Sequence, residues 1–195
     1  FGIIKGKQLY VLMDKTGKIV LNTKSKSCTD VSGGLIIVRK GRKLKLINTS
    51  GKALLSGNYL KIIEYFEYGL LKVQNSKRQW AVYNKEGECV LPFGQYQIYA
   101  EFSEGLCYVE GKQKGYIDTF GKLKFRVDFQ KAGNFNCGLA KAMVKGKWGF
   151  IDTLGKFVIP PVYAEVQDFE NNLAKVKDNQ FCWFQVDQSG RKLNK

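Results

Sequence analysis

Histidine is absent from this 195-residue chain, which removes the usual general base, the Ser-His-Asp and Cys-His arrangements and a common zinc ligand. Proline is scarce, with Pro92, Pro160 and Pro161 the only three. No apolar run approaches the roughly 20 residues that a membrane-spanning helix needs. The five cysteines, Cys28, Cys89, Cys107, Cys137 and Cys182, form an odd set without a CxxC pair, which argues against a disulfide framework and a structural metal site. They read as reduced, mostly half-buried thiols, and unpaired cysteine favours a cytoplasmic compartment. The chain opens on Phe1 rather than methionine, which reads as a processed or trimmed terminus. An exported or cell-envelope protein that has lost its signal is therefore the alternative.

Acidic residues are few, 17 against 32 basic ones, and the net charge of +15 invites an anionic partner: nucleic acid, an acidic protein, a polyanionic glycan or a membrane surface. Arginine is scarce within that excess. Arg39, Arg42, Arg78, Arg126 and Arg191 are the only five, and the planar fork that suits base and phosphate recognition is mostly replaced by lysine. A hydrophobic content of 44% with 13% aromatic residues argues against a disordered chain. The length suffices for one domain or a short array of repeats.

An Asp or Asn followed three residues later by Gly occurs six times: Asp14 to Gly17, Asn48 to Gly51, Asn84 to Gly87, Asp118 to Gly121, Asp152 to Gly155 and Asp187 to Gly190. The glycines are 34, 36, 34, 34 and 35 residues apart, which is the signature of a tandem array. The pairing has a physical reason. Asp or Asn opening a type I turn accepts a hydrogen bond from the backbone two residues on, and Gly supplies the left-handed conformation that closes a bulged hairpin.

Four residues before each Asp or Asn stand Tyr10, Leu44, Trp80, Lys114, Trp148 and Trp183, a mostly large row on one face of a strand. Leu35, Leu70, Leu106, Leu139 and Leu173 follow each turn by 21 to 22 residues, usually after a glycine (Gly34, Gly69, Gly105 and Gly138), and read as short strands entered through a glycine kink. Each repeat, or tile, thus has three strands, A, B and C. In the fifth these are Leu139 to Val144, Trp148 to Asp152 and Phe157 to Pro160, with a tight turn at Gly146 and Lys147 joining A to B. The prolines are expected where strand C ends, since proline offers no ladder donor.

The expected fold is all-β: one array of six three-stranded antiparallel tiles spanning 1–195, at about 1–22, 35–56, 70–92, 106–127, 139–161 and 173–194, joined by loops. The array is read as an elongated stack, with a closed, propeller-like ring as the alternative.

The stretch "KWGFIDTLGKFVIPPVY…FENNLAKVK" in the fifth tile and "GYIDTFGKLKF" in the fourth resemble the bacterial WG repeat, a β-rich unit of similar length that occurs in tandem. The likeness extends over the whole chain, although the Trp-Gly pair itself occurs only at Trp148 and Gly149. It implies binding or scaffold roles rather than a known reaction.

Catalysis finds little support. Asp14, Asp118, Asp152 and Asp187 are explained by turns, and Asp30, Glu64, Glu67, Glu101, Glu104, Asp128, Glu165, Asp168 and Glu170 fall in the joins, where nothing selects one carboxylate pair. No metal or cofactor is expected. The aromatic row reads as packing between tiles, or as stacking platforms should Trp80, Trp148 or Trp183 be exposed. Tyr65, Phe66, Tyr96, Tyr99, Phe102, Phe135, Tyr163 and Phe169 read as covers for sheet edges. Directly after the turn glycines come Lys18, Lys52, Lys122, Lys156 and Arg191, with Glu88 the exception, and a second basic set, Lys7, Arg42, Lys77, Lys112 and Lys147, lies near the A-to-B turns. Such residues keep a β-array soluble, or form a partner-facing row. The expected function is a non-enzymatic module that binds a protein or polymer partner across its repeats, with Lys18, Lys52, Lys122, Lys156 and Arg191 as the contact row. Nucleic-acid or other polyanion binding is the alternative, and glycan binding the third reading.

Overall fold

A computed structural model describes residues 2–5, 10–13, 16–22, 27–31, 35–40, 43–48, 50–65, 68–98 and 100–193. Asp14, Lys7, Arg42, Gly34, Phe66, Glu67 and Tyr99 lie outside them. The chain is all-β, with no α-helix among the described residues and no sheet that closes on itself. It divides into two compact units, Phe1–Gln95 and Tyr96–Lys195.

In the first unit, β1 (Gly2–Lys5), β2 (Tyr10–Met13) and β3 (Ile19–Asn22) form a three-stranded antiparallel sheet. A seven-stranded sheet then runs in chain order through β4 (Ser27–Val31), β5 (Leu35–Lys40), β6 (Lys43–Asn48), β7 (Ala53–Tyr65), β8 (Leu70–Asn75), β9 (Trp80–Asn84) and β10 (Cys89–Leu91). Strand β6 shows why: its lysines face water while Leu44 and Leu46 alternate inward. Strand β7 is the third strand of the second tile and, 13 residues long and bulged, continues as the partner of β8 in the third. Leu35, Leu46, Leu55, Leu71 and Val73 form the buried core of this unit.

In the second unit the tiles separate into their own sheets. Strands β11 (Tyr96–Ile98), β12 (Leu106–Gly111), β13 (Gly115–Asp118) and β14 (Leu123–Arg126) make one antiparallel sheet in chain order. Strands β15 (Lys131–Asn136), β16 (Leu139–Val144), β17 (Lys147–Ile151) and β18 (Phe157–Tyr163) make the next. Strands β19 (Glu165–Val166), β20 (Leu173–Lys177) and β21 (Trp183–Asp187) make the last, where the position of a strand C holds only a bridge from Val186 to Lys192.

The joins expected to be loops therefore carry strands, and strands A, B and C gain a fourth in front of them. Two of the expected glycine kinks, at Gly105 and Gly138, are two-residue hairpin turns, as is Asn171–Asn172. Both central residues have positive φ in Glu104–Gly105 (50° and 76°), Cys137–Gly138 (54° and 79°) and Asn171–Asn172 (52° and 63°), the geometry of a type I′ turn. A similar pair, Lys145 and Gly146, joins β16 to β17, so that the tight turn lies one residue earlier than expected and Lys147 is already in the strand.

The prolines bring another correction. Pro160 and Pro161 lie inside β18 rather than at its end. The register of β17 to β18 shifts between Trp148↔Tyr163 and Phe150↔Ile159, and this bulge accommodates residues that cannot donate to a ladder.

Phe102, Phe135 and Phe169 do not cover edges but are buried. Phe135 reaches from the fifth tile to within 5.0 Å of the Tyr116 ring of the fourth, and Phe169 from the sixth to within 4.7 Å of Phe150 of the fifth, both edge-on. Each is the wedge of an inter-tile core, one built on Tyr108, Tyr116, Ala140 and Ile151, the other on Leu139, Phe150, Val176 and Val186.

Candidate binding surface

The Asp/Asn-to-Gly turns share one geometry. In the fifth tile Asp152 Oδ1 accepts the N–H groups of Leu154 and Lys156, each at 2.9 Å, while the backbone N–H of Gly155 bonds the Asp152 carbonyl at 3.0 Å. Asp118, Asp187, Asn48 and Asn84 each accept the same two backbone donors, two and four residues on. The side-chain oxygen that opens each turn is thus occupied by backbone. The turn glycines Gly17, Gly51, Gly87, Gly121, Gly155 and Gly190 all have φ between 76° and 86°.

Three of these glycines also seat one tile on the one before. A Cβ on Gly155 would stand 2.6 Å from the Phe125 ring in β14, and one on Gly190 would stand 3.4 Å from Ile159 in β18. In the first unit a Cβ on Gly87 would meet the Leu54 carbonyl oxygen at 2.8 Å. Turn therefore follows turn in the second unit, and Lys122, Lys156 and Arg191 hold one position in three successive tiles. Their side chains are exposed.

Arg191 folds back, its guanidinium 3.1 Å from the Asp187 carboxylate. That carboxyl is held below its ordinary range, first by the Ser189 hydroxyl and then by the backbone and side-chain donors around it. Lys18 and Lys52 are exposed in the first unit, and Glu88, at the same turn position, bonds Asn84. Of the second basic set, Lys77 and Lys112 are exposed and Lys147 bonds Asn179.

Two side chains beside the row were not among the site residues expected from the sequence. Phe120 is 86% exposed and Leu154 is 71% exposed, each at the tip of its turn between the Asp and the Gly. Their own N–H groups are bonded to Asp118 and Asp152, which fixes them facing outward. Both could have been found by asking which turn tips are apolar: only the fourth and fifth are.

The tryptophans are partly exposed rather than buried. Trp80 is half-buried with Lys72 Nζ 4.6 Å from its ring centre, Trp148 is half-buried, and Trp183 is 46% exposed. The filling position lies two residues further on, at the buried Val82, Tyr116 and Phe150. The glycine after Trp148 serves strand crossing: a Cβ on Gly149 would stand 2.4 Å from the Ile159 carbonyl oxygen and 2.7 Å from backbone atoms of Pro160 and Pro161.

Several carboxylates of the joins are occupied as well. Glu104 accepts the Gly138 N–H across tiles at 2.9 Å, Asp168 pairs with Lys141 at 3.1 Å, and Glu165 pairs with Lys177 at 2.9 Å. Among the described residues no group of three or more Cys, Asp or Glu is placed to hold a metal ion. Among the cysteines whose side chains are described, Cys89 and Cys182 are exposed, Cys107 is buried and Cys137 is intermediate, which departs from the half-buried expectation; the Cys28 side chain lies outside the described ones. No helix among the described residues is long and apolar enough to cross a membrane.

The family model described as "WG containing repeat" matches residues 12–43, 80–112, 115–148 and 148–180, more than half of the chain. The unmatched stretch between the first two matches contains β7, where two tiles share one strand. Among curated proteins, none matches the chain. A solved structure titled as the eukaryotic initiation factor is similar over 81% of this chain and 50% of its own, at 14% identity and a TM-score of 0.52. That likeness is one of fold, and the chain spans half of that structure. BamB from Moraxella catarrhalis (12% identity, TM-score 0.43, 98% of this chain and 71% of that one) and the WD40 β-propeller domain of Doa1 (12%, 0.39, 99% and 70%) are more distant.

Proposed function

Because the chain belongs to the family of WG-containing repeats, we propose that it is a non-enzymatic interaction module that binds a protein partner along its stacked turns. One observation carries this reading. Phe120 and Lys122 in one turn, and Leu154 and Lys156 in the next, set an exposed apolar tip beside an exposed ammonium at one-tile spacing. Outward-facing Phe and Leu on a rigid turn lose little entropy on contact and supply apolar burial, while the lysines select an acidic surface and steer its approach. A purely electrostatic partner such as nucleic acid would use the lysines and leave the tips idle. Lys18, Lys52 and Arg191 extend the same turn chemistry to other tiles.

Fluorescence anisotropy tests the proposal with two kinds of labelled probe, acidic peptides containing aromatic and leucine residues, and single- and double-stranded nucleic acid. The expected result is peptide binding that is lost both in K122E/K156E and in F120S/L154S. Nucleic-acid binding that falls steeply with salt, disappears in K122E/K156E and survives in F120S/L154S would replace the proposal with the polyanion reading. Binding of neither probe class at physiological salt would remove the turns as the contact surface.

A further inference from the structure

In the second, fourth and fifth tiles the residue two positions before the turn Asp or Asn packs in a core shared with the tile that follows. That residue is Leu46, Val82, Tyr116 and Phe150 in the second to fifth tiles, all buried. In the sixth tile it is Gln185, exposed and paired across the strands with exposed Lys175. The outward face of the sixth tile therefore breaks the apolar pattern where the repeat would continue it.

Trp183 is retained on it and is 46% exposed. Lys177 lies over the Trp183 ring with Nζ 5.7 Å from its centre, and is itself anchored to Glu165 at 2.9 Å. Lys192 Nζ lies 4.3 Å over the ring of Phe184. Trp183, Phe184, Lys192, Lys175, Gln167 and Gln185 line a half-open groove of about 1170 Å³. Among the described residues its lining contains an indole platform, two amides that each donate and accept, and the Lys175 ammonium beside Gln185, with no carboxylate.

We propose that this groove binds an acidic carbohydrate, an oligosaccharide bearing carboxylate or sulfate groups. The apolar C–H face of a pyranose lies on the indole, its hydroxyls pair with the amides of Gln167 and Gln185, and an anionic group is neutralised by Lys175, which pairs with Gln185 on the same face. A nucleic-acid strand would be served by successive aromatic platforms along a basic track, whereas this groove offers one platform flanked by amides. The site is separate from the turn residues Phe120, Lys122, Leu154 and Lys156 and does not depend on their role.

Isothermal titration of the full chain tests it, with uronic-acid and sulfated tetrasaccharides, the neutral tetrasaccharide of matching linkage, and a thymidine oligonucleotide as probes. An acidic tetrasaccharide is expected to bind about tenfold more tightly than the neutral one, and K175Q to erase that preference. Trp183→Ala should weaken binding roughly tenfold or more, and Trp183→Phe should retain most of it at an unchanged melting temperature, which separates stacking from folding. K122E/K156E should change affinity less than about twofold, since distant sites act independently. The proposal falls if no acidic tetrasaccharide binds, if W183A binds as well as the parent, if the neutral sugar binds equally, or if the oligonucleotide competes at lower concentration.

Discussion

The Cβ that Gly149 lacks would stand 2.4 Å from the carbonyl oxygen of Ile159, with the backbone of Pro160 and Pro161 at 2.7 Å. Gly115 holds the same place in the fourth tile, where a Cβ would stand 2.3 Å from the Phe125 carbonyl oxygen. The glycine of the Trp-Gly pair thus gives the bulged third strand room to cross the second.

Gly149→Ala should consequently destabilise the protein by about 2–4 kcal/mol, since the obstacle is backbone and cannot step aside. Gly105→Ala is the control: nothing lies within 4 Å of its Cβ, and only its φ of 76° is unfavourable. Its cost should be about 1 kcal/mol. Urea unfolding midpoints of the two variants rank them.

Phe135→Ala and Phe169→Ala each remove a wedge between tiles. Each should cost about 3–5 kcal/mol, the range for emptying a packed aromatic site. Urea unfolding checks this, and the apolar-surface dye ANS should bind both variants more strongly. A cost below that of Gly105→Ala would show that the inter-tile cores collapse to fill the space.

Asp187 ionises more readily in the fold than its ordinary value of 3.8, chiefly through the Ser189 hydroxyl. Below that value the unfolded chain takes up the proton first, so the contribution of Asp187 is complete above 3.8 and is lost as pH falls through the lower folded value. Asp187→Asn should lower the melting temperature at neutral pH and show a shallower further fall in acid. Thermal melts on both sides of that value test it.

Tyr116 behaves in the opposite sense. Its buried hydroxyl donates to the Gly133 carbonyl at 2.7 Å, and burial raises its pKa well above 10.0. Tyr83 is pushed up to about 12, first by burial and then by Cys89. Both favour the protonated phenol in the fold, so stability present below pH 10.0 should decline as pH rises beyond it. An ultraviolet absorbance titration should find these two tyrosines ionising late, and Tyr116→Phe should remove one of them. At neutral pH that variant should lose about 1–2 kcal/mol, the cost of an unmade buried hydrogen bond.

The turns were legible because their chemistry is local. Asp152 and Gly155 act within five residues, and that constraint is written at fixed spacing. The strand in front of each tile was hidden by the same locality: Cys137–Gly138 and Asn171–Asn172 are hairpin turns, but one glycine after a join also fits a kink. Phe135 and Phe169 were misassigned because their burial depends on a neighbouring tile, which no short window contains. Pro160 and Pro161 marked a strand end by the usual rule, and only the space at Gly149 lets the strand continue. The basic turn residues could be placed from the sequence. The apolar tips could have been too, but the groove at Trp183 could not, since it acquires meaning only from exposure and from the substitution of Gln185 where four other tiles bury an apolar side chain.

The seating of the fifth and sixth turns on the tiles before them also bears on how the second unit is made. The bonds from Glu104 to Gly138 and from Gln188 to Cys137 join residues 34 and 51 apart, so a tile finds its partner soon after it leaves the ribosome. At roughly 5–20 residues per second, a new repeat emerges within a few seconds, far longer than a hairpin takes to form. Synthesis can thus set the order of docking, each finished tile serving as the template on which the next one settles.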